Sequence, residues 1–334
     1  MAADVESRSC VQVTGANVAG AFVALLLATA GVADGHAQTQ PSVRSVAVTF
    51  DDLPAVSTRR DIAVQSAITD ALLTTLVRQG VPATGFVIEG SLAVDGQPDP
   101  ARVALLERWL DAGMALGNHT FSHHSLHQTP LDTYQEDVVR GEAVTRALLA
   151  QRGQTLEWFR HPMLHTGRDL DTKRLFAEFL NRHGYRIAPV TIDNSDWIFA
   201  RAWDRAFDRG DSAAARRIGE AYVPYMDTVF GYYEQQSRML LGREPPQILL
   251  LHANRINAHL LEDMIAMMRR RGYRFIALES AFADPAYRRR DEYIGPAGIT
   301  WLHRWAIAAG WKGTDFRGEP QVPQFVIDEA GSRN

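Results

Sequence analysis

Cysteine is nearly absent from this chain of 334 residues: there is one, Cys10. Disulfide frameworks, cysteine-ligated zinc and thiol catalysis are therefore excluded from the body of the protein. Charge of one sign is also lacking. The net charge is −4, with both signs scattered and no Lys/Arg-rich run, so neither a nucleic-acid surface nor a basic membrane patch is expected. Internal repeats and low-complexity tracts are missing too. What remains is ordinary globular composition, 46% hydrophobic and 22% charged.

One apolar run stands out, VAGAFVALLLATAGVA over Val18–Ala33. It is short for a membrane span, which needs about 20 apolar residues. It precedes Asp34-Gly35-His36-Ala37-Gln38, whose small residues suit signal-peptidase cleavage after Ala37. Residues 1–37 are read as a signal peptide, although Asp4 and Glu6 offset Arg8 in the leading segment; an uncleaved anchor or a buried helix is the alternative. The expected product is exported, periplasmic or extracellular, has no stable membrane insertion after cleavage and contains no cysteine.

Beyond the leader, short apolar runs alternate with amphipathic ones. Strands are predicted at Ser45–Phe50, Ala83–Ile88, Met114–Gly117, Glu157–Arg160, Arg186–Ile192, Gln247–Leu251 and Tyr273–Leu278, with helices between them. Such alternation implies parallel pairing with right-handed crossovers. Two segments depart from it: a helical insertion at 199–242 and a tail from 286 to 334 carrying Trp301, Trp305 and Trp311. The insertion suits a lid or a dimer contact, and the tail is expected to pack on the domain of residues 41–285.

Polar residues follow the apolar runs: Asp51 and Asp52, His119, Arg160, Asp193 and His252. In a parallel α/β barrel the C-terminal strand ends share one face, so these residues should converge. His119 and His123 are four apart and able to chelate one ion. A third ligand would come from Asp51 or Asp52; adjacent strand residues point oppositely, which leaves the other free to act as a base. Two imidazoles and one carboxylate leave a position open for water, as in catalytic zinc sites. The same set would also fit a ferrous oxygenase triad, but the α/β alternation and the second Asp argue against that.

Thr49-Phe50-Asp51-Asp52, His119-Thr120-Phe121-Ser122-His123, Arg160-His161-Pro162, Asp193-Asn194-Ser195-Asp196-Trp197 and Leu250-Leu251-His252 occur in that order. The set resembles the polysaccharide deacetylases, the NodB-homology group of carbohydrate esterase family 4, over about residues 45–280. The resemblance implies a distorted (β/α) barrel with fewer than eight parallel strands and hydrolysis of N-acetyl groups on an amino-sugar polymer or oligosaccharide. It implies one divalent ion, zinc or alternatively Co2+, Ni2+ or Mn2+, on Asp52, His119 and His123. It further implies Asp51 as base held ionised by Arg160, His252 as acid paired with Asp193, and Trp197, Leu250 and Pro162 at the substrate. Met163 and Leu164 stand where the family has an aromatic residue and Gly, which puts the groove's shape, and so the substrate, in question. Neighbouring His124, His127 and His165 read as loop residues, and Glu89 as a surface carboxylate. The competing expectations are a hydrolase of small non-sugar amides, with a pocket closed by the insertion, and a non-catalytic glycan-binding barrel.

Overall fold

The computed structural model describes residues 44–59 and 61–331. Cys10 and the expected signal peptide lie outside them. Strands and helices alternate as β1 (Ser45–Leu53), α1 (Ile62–Gln79), β2 (Ala83–Val87), α2 (Pro100–Asp111), β3 (Ala115–Asn118), α3 (Leu131–Arg140), α4 (Ala143–Ala150) and β4 (Trp158–Phe159). They continue with α5 (Leu170–Arg182), β5 (Arg186–Ile187), α6 (Asp196–Asp208), α7 (Ser212–Leu241), β6 (Gln247–His252), α8 (Arg255–Arg270) and β7 (Arg274–Phe275).

Local chemistry sets the helix ends. Asp61 accepts from the Val64 amide at the start of α1, and Gly80 closes that helix in the left-handed conformation at φ 62°. Asp99 caps α2, with Pro100 in its first turn.

The seven strands form one sheet in the order β5-β4-β3-β2-β1-β6, with β7 added to β1, and all pairs are parallel. Segment 186–192 closes it. It pairs with β4 through Arg186 and Ile187, and Ile192 then bridges Leu249 of β6. Between those contacts Ala188–Val190 belongs to no strand, and the barrel is distorted there. Val48, Phe50, Phe86, Phe159, Leu249 and Leu251 of its strands are all nearly inaccessible to solvent.

Three local expectations are corrected. First, β1 runs on through Asp51 and Asp52 to Leu53, with a register shift between Phe50 and Leu53. Second, the span between the predicted strands Met114–Gly117 and Glu157–Arg160 holds two helices, α3 and α4, broken at Gly141. A Cβ at Gly141 would lie 2.4 Å from the Thr120 carbonyl carbon, so the break lets the 119–123 loop sit against the helix. Third, Glu89 is buried and accepts from the amides of Val144 and Thr145, capping α4.

Helices α6 and α7 of the insertion pack on α8 and on each other, with Phe199, Tyr222 and Phe230 inaccessible. Helix α9 (Leu278–Phe282) follows β7, and the tail holds α10 (Trp301–Ala308) and α11 (Gln324–Ala330). Trp301 donates its amide to the Val190 carbonyl at 2.7 Å, and Trp305 is buried edge-on to Tyr287. Among the described residues no helix is long and apolar enough to cross a membrane.

Gly141→Ala should destabilise the protein by about 1–3 kcal/mol, because its neighbour is backbone and cannot rotate away. Urea unfolding checks this; an unchanged midpoint would show that the 119–123 loop yields freely.

Candidate active site

The expected convergence occurs at the C-terminal end of the barrel. A cleft of about 550 Å³ is lined by Asp51, Asp52, His119, His123, Met163, Leu164, His165, Asp193, Asn194, Trp197, Leu250, His252 and Gly298. Pro162 is buried beneath the 162–165 turn, and its three successors face the cleft in its place.

Asp51 and Asp52 diverge because of a backbone feature. Asp52 has φ 65°, a left-handed conformation that Asp tolerates better than most residues, at the register shift in β1. Asp51 points towards Arg160, and Asp52 towards the two histidines. Arg160 is fully buried. Its Nη1 lies 3.2 and 3.4 Å from the Asp51 carboxylate oxygens, Nη2 donates to Thr49 Oγ1 at 3.1 Å, and Nε donates to the Ala188 carbonyl at 2.9 Å. The Phe86 ring covers the guanidinium at 4.5 Å. Arg160 was expected to hold Asp51 ionised. Instead, burial outweighs Arg160 and the nearby histidines and moves its pKa up.

His119 Nδ1 lies 2.8 Å from the Arg160 carbonyl, which can only accept, so Nδ1 carries the hydrogen and Nε2 presents its lone pair to the cleft. Burial, reinforced by His123, drives its pKa down to about 3, so the ring is neutral. Asp52 Oδ1 stands 3.6 Å from His119 Nε2 and 3.4 Å from His123 Nε2. That oxygen is buried without a hydrogen-bond partner. The His119 lone pair and this oxygen converge with no proton between them and repel, and a cation removes the repulsion. A tetrahedral ion with bonds of ~2.1 Å separates its ligands by ~3.4 Å, which these distances match. The three residues therefore fit a divalent ion.

His252 terminates β6 directly opposite Asp51 of β1 in the parallel register. Its partner is Asp196, which corrects the sequence expectation of Asp193. Asp196 Oδ1 lies 2.7 Å from His252 Nδ1. Its Oδ2 accepts from the His252 amide and from the side chains of Asn254 and Asn257, and Tyr222 of α7 in turn donates to Asn257 at 2.6 Å. Asp196 starts α6, where helix geometry turns its carboxylate inward. Burial disfavours a charged His252, but Asp196, with Asp52 and Asp51, outweighs it and lifts the pKa to about 10. Asp193 accepts from the Asn194 amide and stays in the cleft, lifted to about 6 by burial with Asp196 and Asp51 adding to the effect. Asp196 stands in the same Asp193-Asn194-Ser195-Asp196-Trp197 motif, and composition does not distinguish the two carboxylates.

Trp197 stands at the cleft 38% exposed, and Leu250 contributes a buried apolar wall. His165 lies against Ser125 Oγ at 2.7 Å and stacks on His127 at 4.0 Å. His165 lines the cleft, whereas His124 and His127 do not.

Residues 38–188 match the family model described as polysaccharide deacetylase. Over that segment the chain matches the polysaccharide deacetylase family. The matched segment contains Asp51, Asp52, His119, His123 and Arg160, while Asp193, Asp196 and His252 lie beyond it. The chain is similar to a peptidoglycan-N-acetylglucosamine deacetylase of Bacillus cereus, 24% identical over 250 residues that make up 73% of this chain and 70% of that protein. Among solved structures it is similar to a family 4 carbohydrate esterase from Streptomyces lividans in complex with acetate (20% identity, TM-score 0.43, 71% of this chain and 95% of that one). It is also similar to a family 4 pseudoenzyme from Bacillus anthracis (16% identity, TM-score 0.46, 72% and 66% of the two chains).

In metal-free protein, Asp196→Asn should lower the His252 pKa by several units from about 10, because burial remains and the adjacent charge goes. The ring would then be largely neutral at pH 8, whereas the native ring is protonated there. Asp193→Asn should move it much less. Imidazole NMR titration ranks the two, and the reverse ranking would return the pairing role to Asp193.

Proposed function

We propose that this protein is an exported, metal-dependent hydrolase that removes acetyl groups from acetamido nitrogens of an amino-sugar polymer or oligosaccharide, with zinc as the ion. Cobalt, nickel and manganese are the alternatives that the same donor set accepts. The observation that carries the reading is one cleft holding an Asp-His-His donor set, a buried carboxylate on an arginine, and a histidine on an aspartate. A binding site for glycan needs none of these three.

Asp52, His119 and His123 would hold the divalent ion, which when bound would lower the pKa of a water and polarise the acetyl carbonyl. Asp51 takes the proton from the attacking water. Its raised pKa brings the base closer to neutral pH, and the Arg160 bonds hold its orientation. The water oxygen bonds to the carbonyl carbon, and the carbon–nitrogen bond breaks as His252 delivers its proton to the nitrogen. Acetate and a free amine result. Asp196 supplies the charge that keeps His252 protonated beforehand. Leu250 and Met163 offer apolar surface to the acetyl methyl group, and Trp197 an exposed face for a sugar ring.

Helices α6 and α7 contribute no residue of the 199–242 segment to the cleft lining, which supports a groove open to a polymer over a pocket closed by the insertion. The apolar run at 18–33 and the small residues before 38 support export. The name of the Bacillus cereus relative makes cell-wall glycan the first substrate to try.

The test is acetate release by protein lacking residues 1–37, with zinc or cobalt supplied, on chitooligosaccharides, peptidoglycan fragments and small acyl amides. Asp51→Asn should reduce turnover by about 10²–10⁴-fold while equilibrium dialysis still finds one ion per chain, and His252→Ala should cost a similar factor. Release from small amides alone would overturn the glycan assignment, and full turnover by either variant would remove that residue from its role. Asp52→Ala should lose the bound ion; retention at native affinity would refute the donor set.

A further inference from the structure

Beyond the reacting groups, the cleft wall formed by the 162–166 turn is shaped in an unusual way. Met163 and Leu164 both occupy left-handed backbone, at φ 54° and 53°. Side chains with a Cβ avoid that region, and two such residues in succession persist only where surrounding structure imposes the shape. Within the turn, the Leu164 amide donates to the His161 carbonyl and the His165 amide to the Pro162 carbonyl, each at 3.0 Å. These short-range bonds close the turn but do not anchor it to the barrel.

The anchor comes from the C-terminal segment, more than a hundred residues further along the chain. Arg304 of α10 is 1% exposed. Its Nη2 donates to the Leu164 carbonyl at 2.6 Å and its Nη1 to Thr166 Oγ1 at 2.6 Å. The same guanidinium is fixed from behind by Asp291 at 3.0 Å, by the Ile299 carbonyl at 2.9 Å and by the Trp301 ring at 4.5 Å. A planar fork with this many fixed partners can hold two points of the turn at once, which the point charge of a lysine cannot. Gly298 is the second contact: a Cβ there would stand 1.8 Å from the Met163 carbonyl oxygen. Glycine is thus what lets the tail and the turn approach each other at the cleft itself.

We propose that Arg304 is a positioning residue for the deacetylation reaction, holding the 162–166 turn in its left-handed shape so that Met163, Leu164 and His165 stand at their working distance from the metal-ligating residues. Arg304 touches none of the reacting groups and acts through the turn. The inference rests on the deacetylase reading of the cleft. Displacing a wall of a reaction site by about 1 Å is enough to cost ~10²-fold in rate.

The experiment compares native protein, Arg304→Gln and Gly298→Ala, each loaded with cobalt. Hydrogen exchange of the 161–168 peptide should quicken about tenfold in Arg304→Gln, with peptides over 45–53 and 247–252 unchanged. Turnover should fall roughly 10–100-fold with KM and cobalt affinity within about threefold of native. Gly298→Ala, which pushes the same turn from the other side, should give the same split between turnover and KM, and it stands in if Arg304→Gln does not fold. Unchanged exchange and turnover would overturn the proposal. So would a loss shared equally by turnover, cobalt affinity and unfolding midpoint, which marks a general structural role. A native protein inert on every acetylated substrate would sink the deacetylase reading, and exchange in 161–168 would still decide whether Arg304 holds the turn.

Discussion

Arg160 is a full charge placed at the end of a closed barrel with no solvent around it, a costly position unless every donor is used. The chain around it is arranged accordingly. Thr49 and Asp51 of β1 and the Ala188 carbonyl take its side-chain hydrogens, the Phe86 ring covers its face, and its own carbonyl accepts from His119. One residue thus links β1, the turn after β3, and the irregular stretch that closes the barrel. Removing the guanidinium would leave Asp51 buried without its counter-charge and would free the acceptor group of Ala188. The orientation of Asp51 and of the barrel end are a single construction. The tautomer of His119 joins it through the backbone carbonyl of the same residue.

The two sides of the cleft are tuned in opposite directions by the same physical quantity. Burial is the leading influence on His119 and on His252 alike, and in both it favours the neutral ring. At His119 nothing reverses it, and the ring stays neutral with a lone pair available to an ion. At His252 a carboxylate within hydrogen-bond reach reverses it, and the ring stays protonated. The proposed metal ligand and the proposed proton donor are made from one residue type by the presence or absence of Asp196. Tyr222 and Asn257 hold that carboxylate in place, so α7 of the insertion supports the His252–Asp196 pair from behind.

Much of this was legible in the sequence because strand ends are easy to read. Apolar runs ending in Asp51-Asp52, His119, Arg160 and His252 announced both the parallel α/β architecture and the face where these residues meet. What escaped had a definite cause each time. Divergence of Asp51 from Asp52 depends on a left-handed residue inside a strand, a conformation no periodicity reveals. The break at Gly141 answers to the backbone of Thr120, a contact between segments about twenty residues apart. Asp196 and Asp193 are equivalent by composition, and only the first turn of α6 decides which carboxylate reaches the imidazole. Glu89 read as a surface group because its partners, the amides of α4, belong to a helix end that the sequence placed elsewhere.

The departure at Met163 and Leu164 looks at first like a weakened motif, since glycine is the residue that enters left-handed backbone without strain. Yet the backbone adopts that conformation anyway. A shape that glycine would permit locally is here imposed from a distance, by Arg304 on the Leu164 carbonyl and by Gly298 against that of Met163. The requirement has moved along the chain without disappearing: the glycine that makes the close approach possible is at 298. Short motifs record only those demands that a single residue can meet. Where tertiary contacts meet the same demand, side-chain identity in the turn is released, and Met163 becomes free to line the cleft with a flexible apolar surface.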